Sequence, residues 1–390
     1  MKILITTEFS LSFQCGVTTA VINERKCLEA LGHEVRILTI YKDKVSKYED
    51  GVYYIRSNFP QLYKDSYAAL ILSDPIFEEI YEWNPDIVHS QCEFFTMACA
   101  KRISKKLDIP LVHTCHTEFD AYGVHFTRND KLWDWVTSTF IPLILRRVDY
   151  IICPTEKNYE LLKNYDVTNP MTVFPCGVDL SMFNRSLSPE ERIALRAENG
   201  IGEDDTVLIS VCRLSEEKNV EESILYFKHL LQKKPDVKFL IVGDGDEKVD
   251  LEKQVDDLNL SESVRFSGSV PMTEVWKYYK LGDIFISNSV SESLGLTYIE
   301  ALASSVPIVC RWDKALSASL IDGVNGYSFL NVEEFMNKII PLIDDSEMRK
   351  KMGLSAQKSV EKFSLDKFAD NLLNVFNNVK EEKRRKAESI

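Results

Sequence analysis

The sequence predicts an α/β protein of two doubly wound, Rossmann-like domains, each a parallel sheet covered by helices on both faces. Three observations lead there. Short apolar, β-rich runs alternate with helical periodicity; the alternation pauses at 168–179, a stretch rich in Pro, Gly, Asn and Asp, and then resumes; and 390 residues exceed one ordinary core, at about 100–200 residues per domain.

Taken in order, Lys2-Ile-Leu-Ile-Thr-Thr7 is a buried strand, residues 17–31 have helical apolar spacing, and Gly32-His-Glu leads into a strand at 35–40, which together make a βαβ unit. Further buried strands are expected at 87–89 after Asn84-Pro-Asp, at 111–114 after Ile109-Pro, and at 150–153. A polar helix around 189–199 follows the pause. Strands at 206–212, 238–242, 264–266, 284–286 and 308–310 then alternate with helices from Val220, Lys248 and Thr273 and near 296–303. From Glu333 the chain reads as helices, and its basic-rich end at 380–386 is of the kind that is solvated and frayed. The expected domains are 1–175, with a C-terminal helix at about 365–390 packing back on it, and 176–364.

Composition narrows the function classes. With 45% hydrophobic and 27% charged residues the chain can bury cores, and its net charge of −13 argues against nucleic-acid binding, which calls for a basic face. The opening apolar run is too short for a signal peptide, and no stretch of about 18 apolar residues occurs that could span a bilayer. Nine scattered cysteines without a Cys-x-x-Cys pair fit neither a disulfide framework nor a zinc site and read as buried thiols in a reducing compartment. The expectation is a cytoplasmic protein.

In open α/β sheets ligands sit beyond the carboxyl ends of strands, so two such domains facing each other define a cleft and place the chemistry in loops that follow strands. The first loop, 8–16, precedes a helix whose N-terminus can receive a phosphate, but Gly16 alone stands where a dinucleotide site needs three glycines, which disfavours hydride transfer. Its competing role is close helix–sheet packing. Val242-Gly-Asp-Gly-Asp-Glu247 also follows a strand; Gly243 and Gly245 fit a tight turn lining the cleft better than a cofactor site. Arg213 and Lys218 leave the strand at 206–212 and could stabilise the charge that develops on a diphosphate leaving group; alternatively they are solvated and paired with Glu216 and Glu217.

The segment 287–303 is a strand-to-helix loop followed by a helix, a second anion site at a helix start. Glu292 lies in the loop and Glu300 one turn into the helix, where they can reach different parts of an extended ligand, one the sugar hydroxyls and the other the ribose. Glu300 has a local alternative, because Thr297-Tyr-Ile-Glu300 matches a capping box. His116 follows the strand at 111–114, where a lone histidine is ordinarily structural.

Together these motifs resemble the retaining GT-B glycosyltransferases of family 4: Glu292 and Glu300 in a Glu-x7-Glu arrangement, Arg213-Leu-x-x-x-Lys218, Pro175-Cys-Gly-Val-Asp179, Gly16-Val-Thr-Thr and Gly32-His-Glu-Val. The resemblance runs over nearly the whole chain. It implies a GT-B fold with acceptor binding in the first domain and donor binding in the second. It further implies that Arg213 and Lys218 hold the donor diphosphate, Glu300 the ribose and Glu292 the transferred sugar, that the backbone of Leu294, Gly295 and Leu296 contacts sugar or phosphate, and that His116 lies by the reacting sugar. Many members have two glycines in the first loop where this chain has Cys15-Gly16. The implied reaction is metal-independent and needs no cofactor beyond the nucleotide-sugar donor; Asp244 and Asp246 lack a partner set with ligand spacing.

Cys115-His-Thr-Glu-Phe with Gly16-Val-Thr-Thr is most similar to the bacterial diacylglycerol glucosyltransferases, which implies UDP-glucose as donor and a membrane lipid as acceptor. The stretch 122–147 interleaves aromatic, apolar and basic residues and could lie on a membrane interface, with 101–106 adding attraction to anionic lipid; the other reading is a core-facing helix with solvated cations. Transfer to a polysaccharide, polyol or protein, a GT-B sugar-nucleotide isomerase, and a non-enzymatic nucleotide-sugar-binding module are the alternatives.

Overall fold

A computed structural model describes residues 1–12, 15–42, 45–58, 74–117 and 130–388, without the side chains of 130–136. The chain divides into two compact units, Met1–Gly177 with Leu365–Ile390, and Val178–Ser364.

The first unit holds strands β1 (Lys2–Thr7), β2 (Glu34–Tyr41), β3 (Lys47–Glu49), β4 (Val52–Arg56), β5 (Ile87–Ser90), β6 (Leu111–Thr114), β7 (Tyr150–Cys153) and β8 (Met171–Val173), in the order β3-β4-β2-β1-β5-β6-β7-β8. The pairs between these neighbours are parallel except β3–β4. Successive side chains of a strand point to opposite faces, and β1 shows the consequence: Leu4 packs in one core cluster with Phe77, Ile103 and Ile151, while Ile3 and Ile5 pack in the other with Val21, Leu372 and Phe376. An unbroken apolar strand is therefore what a sheet covered on both faces requires.

The second core includes the helix Gly16–Ala30 and the C-terminal helix Leu365–Glu388. The basic end of that helix does not fray as expected: it is helical through Glu388, with Lys380 Nζ donating to Asp86 at 2.7 Å and Lys383 Nζ to the carbonyl of Ile109 at 2.9 Å. Its last turn is exposed. Among the described residues no helix is long and apolar enough to cross a membrane.

The second unit holds β9 (Thr206–Val211), β10 (Val237–Val242), β11 (Val264–Gly268), β12 (Ile284–Ser287), β13 (Ile308–Arg311) and β14 (Gly326–Phe329), all parallel in the order β11-β10-β9-β12-β13-β14. Its alternating helices include Val220–Leu231, Lys248–Asp257, Val275–Tyr279 and Leu296–Ala303.

Both strand orders reverse direction once. The chain winds outward from β1 through β2 and then returns with β5 on the other side of β1; likewise it winds from β9 through β10 and β11 and returns with β12 beside β9. At such a switch point the loops leaving the two neighbouring strands diverge and open a crevice. In the second unit those loops begin at Cys212 and Asn288, and in the first they begin at Glu8 and Gln91.

Candidate active site

At the crevice of the second unit, the two loops leaving β9 and β12 carry the charged residues and are stitched together. The carbonyl of Glu217 accepts from the Val290 amide at 3.0 Å and from Ser289 Oγ at 3.2 Å. This holds Lys218 against Glu292, with Nζ donating to Oε1 at 2.8 Å and the side chains only 21% and 12% exposed. Burial works to lower the lysine's pKa, but Glu292 outweighs it and the net shift is upward, so Lys218 is a firm cation. Arg213 donates to Glu217 Oε1 at 3.0 Å and stays nearer solvent, at 39% exposure. The pairing of Arg213 with Glu217 is thus present, whereas Lys218 pairs across loops with Glu292 rather than with its sequence neighbours.

Gly243 and Gly245 have a packing reason. Gly243 sits at φ +141, and a Cβ there would stand 1.8 Å from the carbonyl oxygen of Cys212; at Gly245 it would stand 2.1 Å from that of Leu214. The loop leaving β10 thereby closes on the loop that bears Arg213, with the Cys212 amide donating to Val242 at 3.0 Å and the Leu214 amide to Asp244 at 3.0 Å. The Gly-x-Gly is the mould for the arginine loop.

Glu300 does not form the capping box its spacing suggested. The helix Leu296–Ala303 starts two residues earlier than that motif needs; its N-cap is Gly295, at φ +69, and no side chain caps it. Leu294 is buried before it and Leu296 is the first helical residue. A Cβ at 295 would meet the Tyr298 ring at 2.5 Å, so the left-handed turn that opens the helix is reserved for glycine. Glu300 instead accepts from the buried Tyr279 hydroxyl at 2.8 Å, and burial, only partly offset by that bond, pushes its carboxyl up to about 7.

In the first unit, Gly16 is the exposed first residue of its helix, behind an N-cap, Cys15, whose side chain does not cap the backbone. His116 stands beyond β6 at the end of a buried polar chain. Glu24 accepts from His89 Nδ1 at 2.6 Å and from Gln91 Nε2 at 2.8 Å, and Gln91 Oε1 lies 2.6 Å from His116 Nε2. With the Gln91 amide nitrogen donating to Glu24, its amide oxygen is the atom that faces His116, and an oxygen that can only accept compels His116 Nε2 to carry a proton. Burial, then His113 and His89, lowers the His116 pKa to about 3. The imidazole is therefore neutral with its Nδ1 lone pair available, which fits a hydrogen-bond acceptor rather than a cation.

Sequence reasoning missed Gln91, Glu24 and Tyr279. The first two had a signal: Glu24 lies on the same helical stripe as Val21 and Leu28, and His89, Ser90 and Gln91 are polar residues continuing a buried strand. Charge on an apolar face means a buried partner. Tyr279 had none, since a tyrosine within a short helix is ordinarily core.

Much of 122–147 lies outside the described residues. Of its described side chains, Phe140 and Leu143 are exposed. Two of the basic residues in 101–106 are engaged internally: Lys101 Nζ donates to the Ile144 carbonyl, and Arg102 lies over the Phe77 ring at 4.6 Å. Lys105 and Lys106, in the last turn of the helix Phe95–Leu107, are exposed.

Family comparison meets the same two halves. The model described as Glycosyltransferase Family 4 matches residues 15–182, and that described as Glycosyl transferases group 1 matches 191–359. The alpha-monoglucosyldiacylglycerol synthase of Streptococcus pneumoniae is 30% identical over 95% of this chain and 87% of its own length, and that of Acholeplasma laidlawii 29% identical over 95% of each. Among solved structures, Anabaena Alr3699/HepE in complex with UDP-glucose aligns with 97% of this chain and all of its own, with a TM-score of 0.72 at 18% identity, a likeness of fold. Two parallel-sheet units of the GT-B type and full-length kinship lead to one conclusion: the chain belongs to the family 4 glycosyltransferases.

Proposed function

We propose that the protein is a retaining glycosyltransferase that moves glucose from UDP-glucose to a hydroxyl of a diacylglycerol-type lipid. The observation that carries the donor half is the Lys218–Glu292 pair at the switch point of the second unit, a partly buried cation already held in place. Lys218 and Arg213 neutralise the diphosphate as the bond from sugar C1 to phosphate oxygen breaks, and fixed cations are effective there because they need no reorganisation as charge develops. The open N-terminus of the helix Leu296–Ala303 adds its amides, with Leu294 to Leu296 along the phosphates and sugar. Glu300 takes the ribose hydroxyls and Glu292 the hexose hydroxyls.

On this reading the acceptor oxygen attacks C1 on the face from which the diphosphate departs. Its proton passes to the departing phosphate oxygen, and configuration is retained. His116, neutral, accepts a hydroxyl hydrogen bond from the sugar through Nδ1. Gly16 lets backbone approach the donor at the first helix. The lipid acceptor rests on the two synthases similar along the whole chain, and the exposed Phe140 and Leu143, followed by Arg146 and Arg147, suit contact with a cytoplasmic membrane face.

The test is nucleotide release from a panel of sugar nucleotides, with and without diacylglycerol vesicles. Release from UDP-glucose that rises at least about tenfold with lipid supports the reading. Conversion of donor without any acceptor would instead indicate the isomerase, and binding without turnover the non-enzymatic module.

A further inference from the structure

Beneath His116 lies a second group of polar side chains for which glycosyl transfer has no use. His113 and Cys115 are two apart along and just beyond β6, so strand geometry turns them to the same face. The parallel register sets Ser90 opposite His113, which brings Glu93, three residues further on, over the same spot. All three are buried, with Glu93 at 3% exposure and His113 and Cys115 at 0%.

Two of their atoms are left without hydrogen bonds. Glu93 Oε1 and His113 Nε2 are enclosed, 3.5 Å apart and within ion-pair distance, yet neither makes a hydrogen bond to the other or to any other group. Buried polar atoms of a native protein are nearly always satisfied, and two orphans facing each other call for a third partner between them. Their outer atoms, by contrast, are fixed: His113 Nδ1 stands 3.1 Å from the carbonyl of Ser90, and Glu93 Oε2 accepts from Thr117 Oγ1 at 2.9 Å. A carbonyl can only accept, so Nδ1 carries the proton and Nε2 offers its lone pair inward.

We propose that Glu93, His113 and Cys115 form a site for a divalent transition-metal ion, zinc by its ligand chemistry. Their ligand atoms lie within 4.8 Å of one another. Around a tetrahedral ion with bonds of about 2.0–2.2 Å, nitrogen and oxygen ligands stand roughly 3.3–3.6 Å apart, which is the separation found for His113 and Glu93. A thiolate, an imidazole and a carboxylate suit zinc, where magnesium or calcium would want oxygens alone. The carbonyl behind His113 and the hydroxyl behind Glu93 are the outer bonds that orient metal ligands. Binding displaces the Cys115 proton to solvent, and a dication with one thiolate and one carboxylate leaves the buried site neutral. The ion joins the ends of β5 and β6, from which Gln91 and His116 project, so its role is bracing; no step of transfer passes through it.

The site is tested on the full chain, stripped with a chelator, replenished with zinc, freed of excess by gel filtration and analysed for metal. About one zinc per chain is expected, falling at least about tenfold in Cys115→Ser and in His113→Gln. Cobalt substitution adds a thiolate charge-transfer band that Cys115→Ser removes. Less than about a tenth of an equivalent in the unsubstituted chain overturns the proposal, as does equal retention by folded variants, which marks adventitious zinc. Should either variant fail to fold, Glu93→Gln, which keeps the shape of the side chain, serves in its place.

Discussion

Lys218 Nζ sits 2.8 Å from Glu292 Oε1, joining two loops that leave neighbouring strands and are 74 residues apart in sequence. The pair gives each residue a place before any ligand arrives. Lys218→Ala and Glu292→Ala should each lower kcat by about 100-fold or more with the fold retained, the magnitude seen when a fixed transition-state partner is removed. Because each supports the other, Lys218→Ala with Glu292→Ala should cost less than the sum of the separate effects; full additivity in a double-mutant cycle would show that they act independently.

Glu300 supplies a pH signature. Its carboxyl is raised from an ordinary 4.5 to about 7. A raised acid contributes stability that is fully present below the unfolded value and is lost as pH climbs from about 4.5 through 7. Glu300→Gln removes that loss, so the variant should be more stable than the parent at pH 8, by up to about 2–3 kcal/mol, and little different at pH 5. Donor affinity should fall in the same variant. Urea denaturation at the two pH values, beside donor titration, checks both; a variant less stable at pH 8 contradicts the assignment.

Gln91 is a positioning residue for His116. Gln91→Leu removes the acceptor that holds the Nε2 proton, and kcat should drop about 10–100-fold while donor KM changes little. Nitrogen NMR of the imidazole supplies a readout that general loosening would not mimic: the Nε2-protonated tautomer should dominate in the parent and become mixed in the variant.

Gly243→Ala tests the moulding of the arginine loop. With a Cβ 1.8 Å from the Cys212 carbonyl, the loop must shift, and about 3 kcal/mol or more of stability should be lost. Thermal unfolding that leaves Tm within a degree or two of the parent would refute the packing role.

The α/β class was legible because a strand buried on both faces admits few polar residues. Runs such as Ile284-Phe-Ile286 and Tyr150-Ile-Ile-Cys153 stand out between polar loops, and the helix read near 296–303 is found at Leu296–Ala303. Of the edge strands, β11 was read at 264–266, but others at the margins of the first sheet were not legible. β3 is three exposed residues, β4 pairs with it as a hairpin, and β8 lies within the proline- and asparagine-rich stretch read as punctuation, where sheet pairing outweighs local composition. At the candidate site, charged residues in loops after strands were visible from spacing alone. Their partners were not: a capping box and a Tyr279 hydrogen bond are alternatives that only the actual helix start distinguishes, and the Glu24–Gln91–His116 chain joins three segments that sequence periodicity treats separately.

The central claim, retaining transfer from UDP-glucose, is tested most directly by the anomeric configuration of the product formed with diacylglycerol vesicles, read by proton NMR. An α-linked glucosyl lipid, formed with one UDP released per lipid glucosylated, is the predicted result. A β-linked product, or consumption of UDP-glucose with no lipid glucosylated, would contradict it.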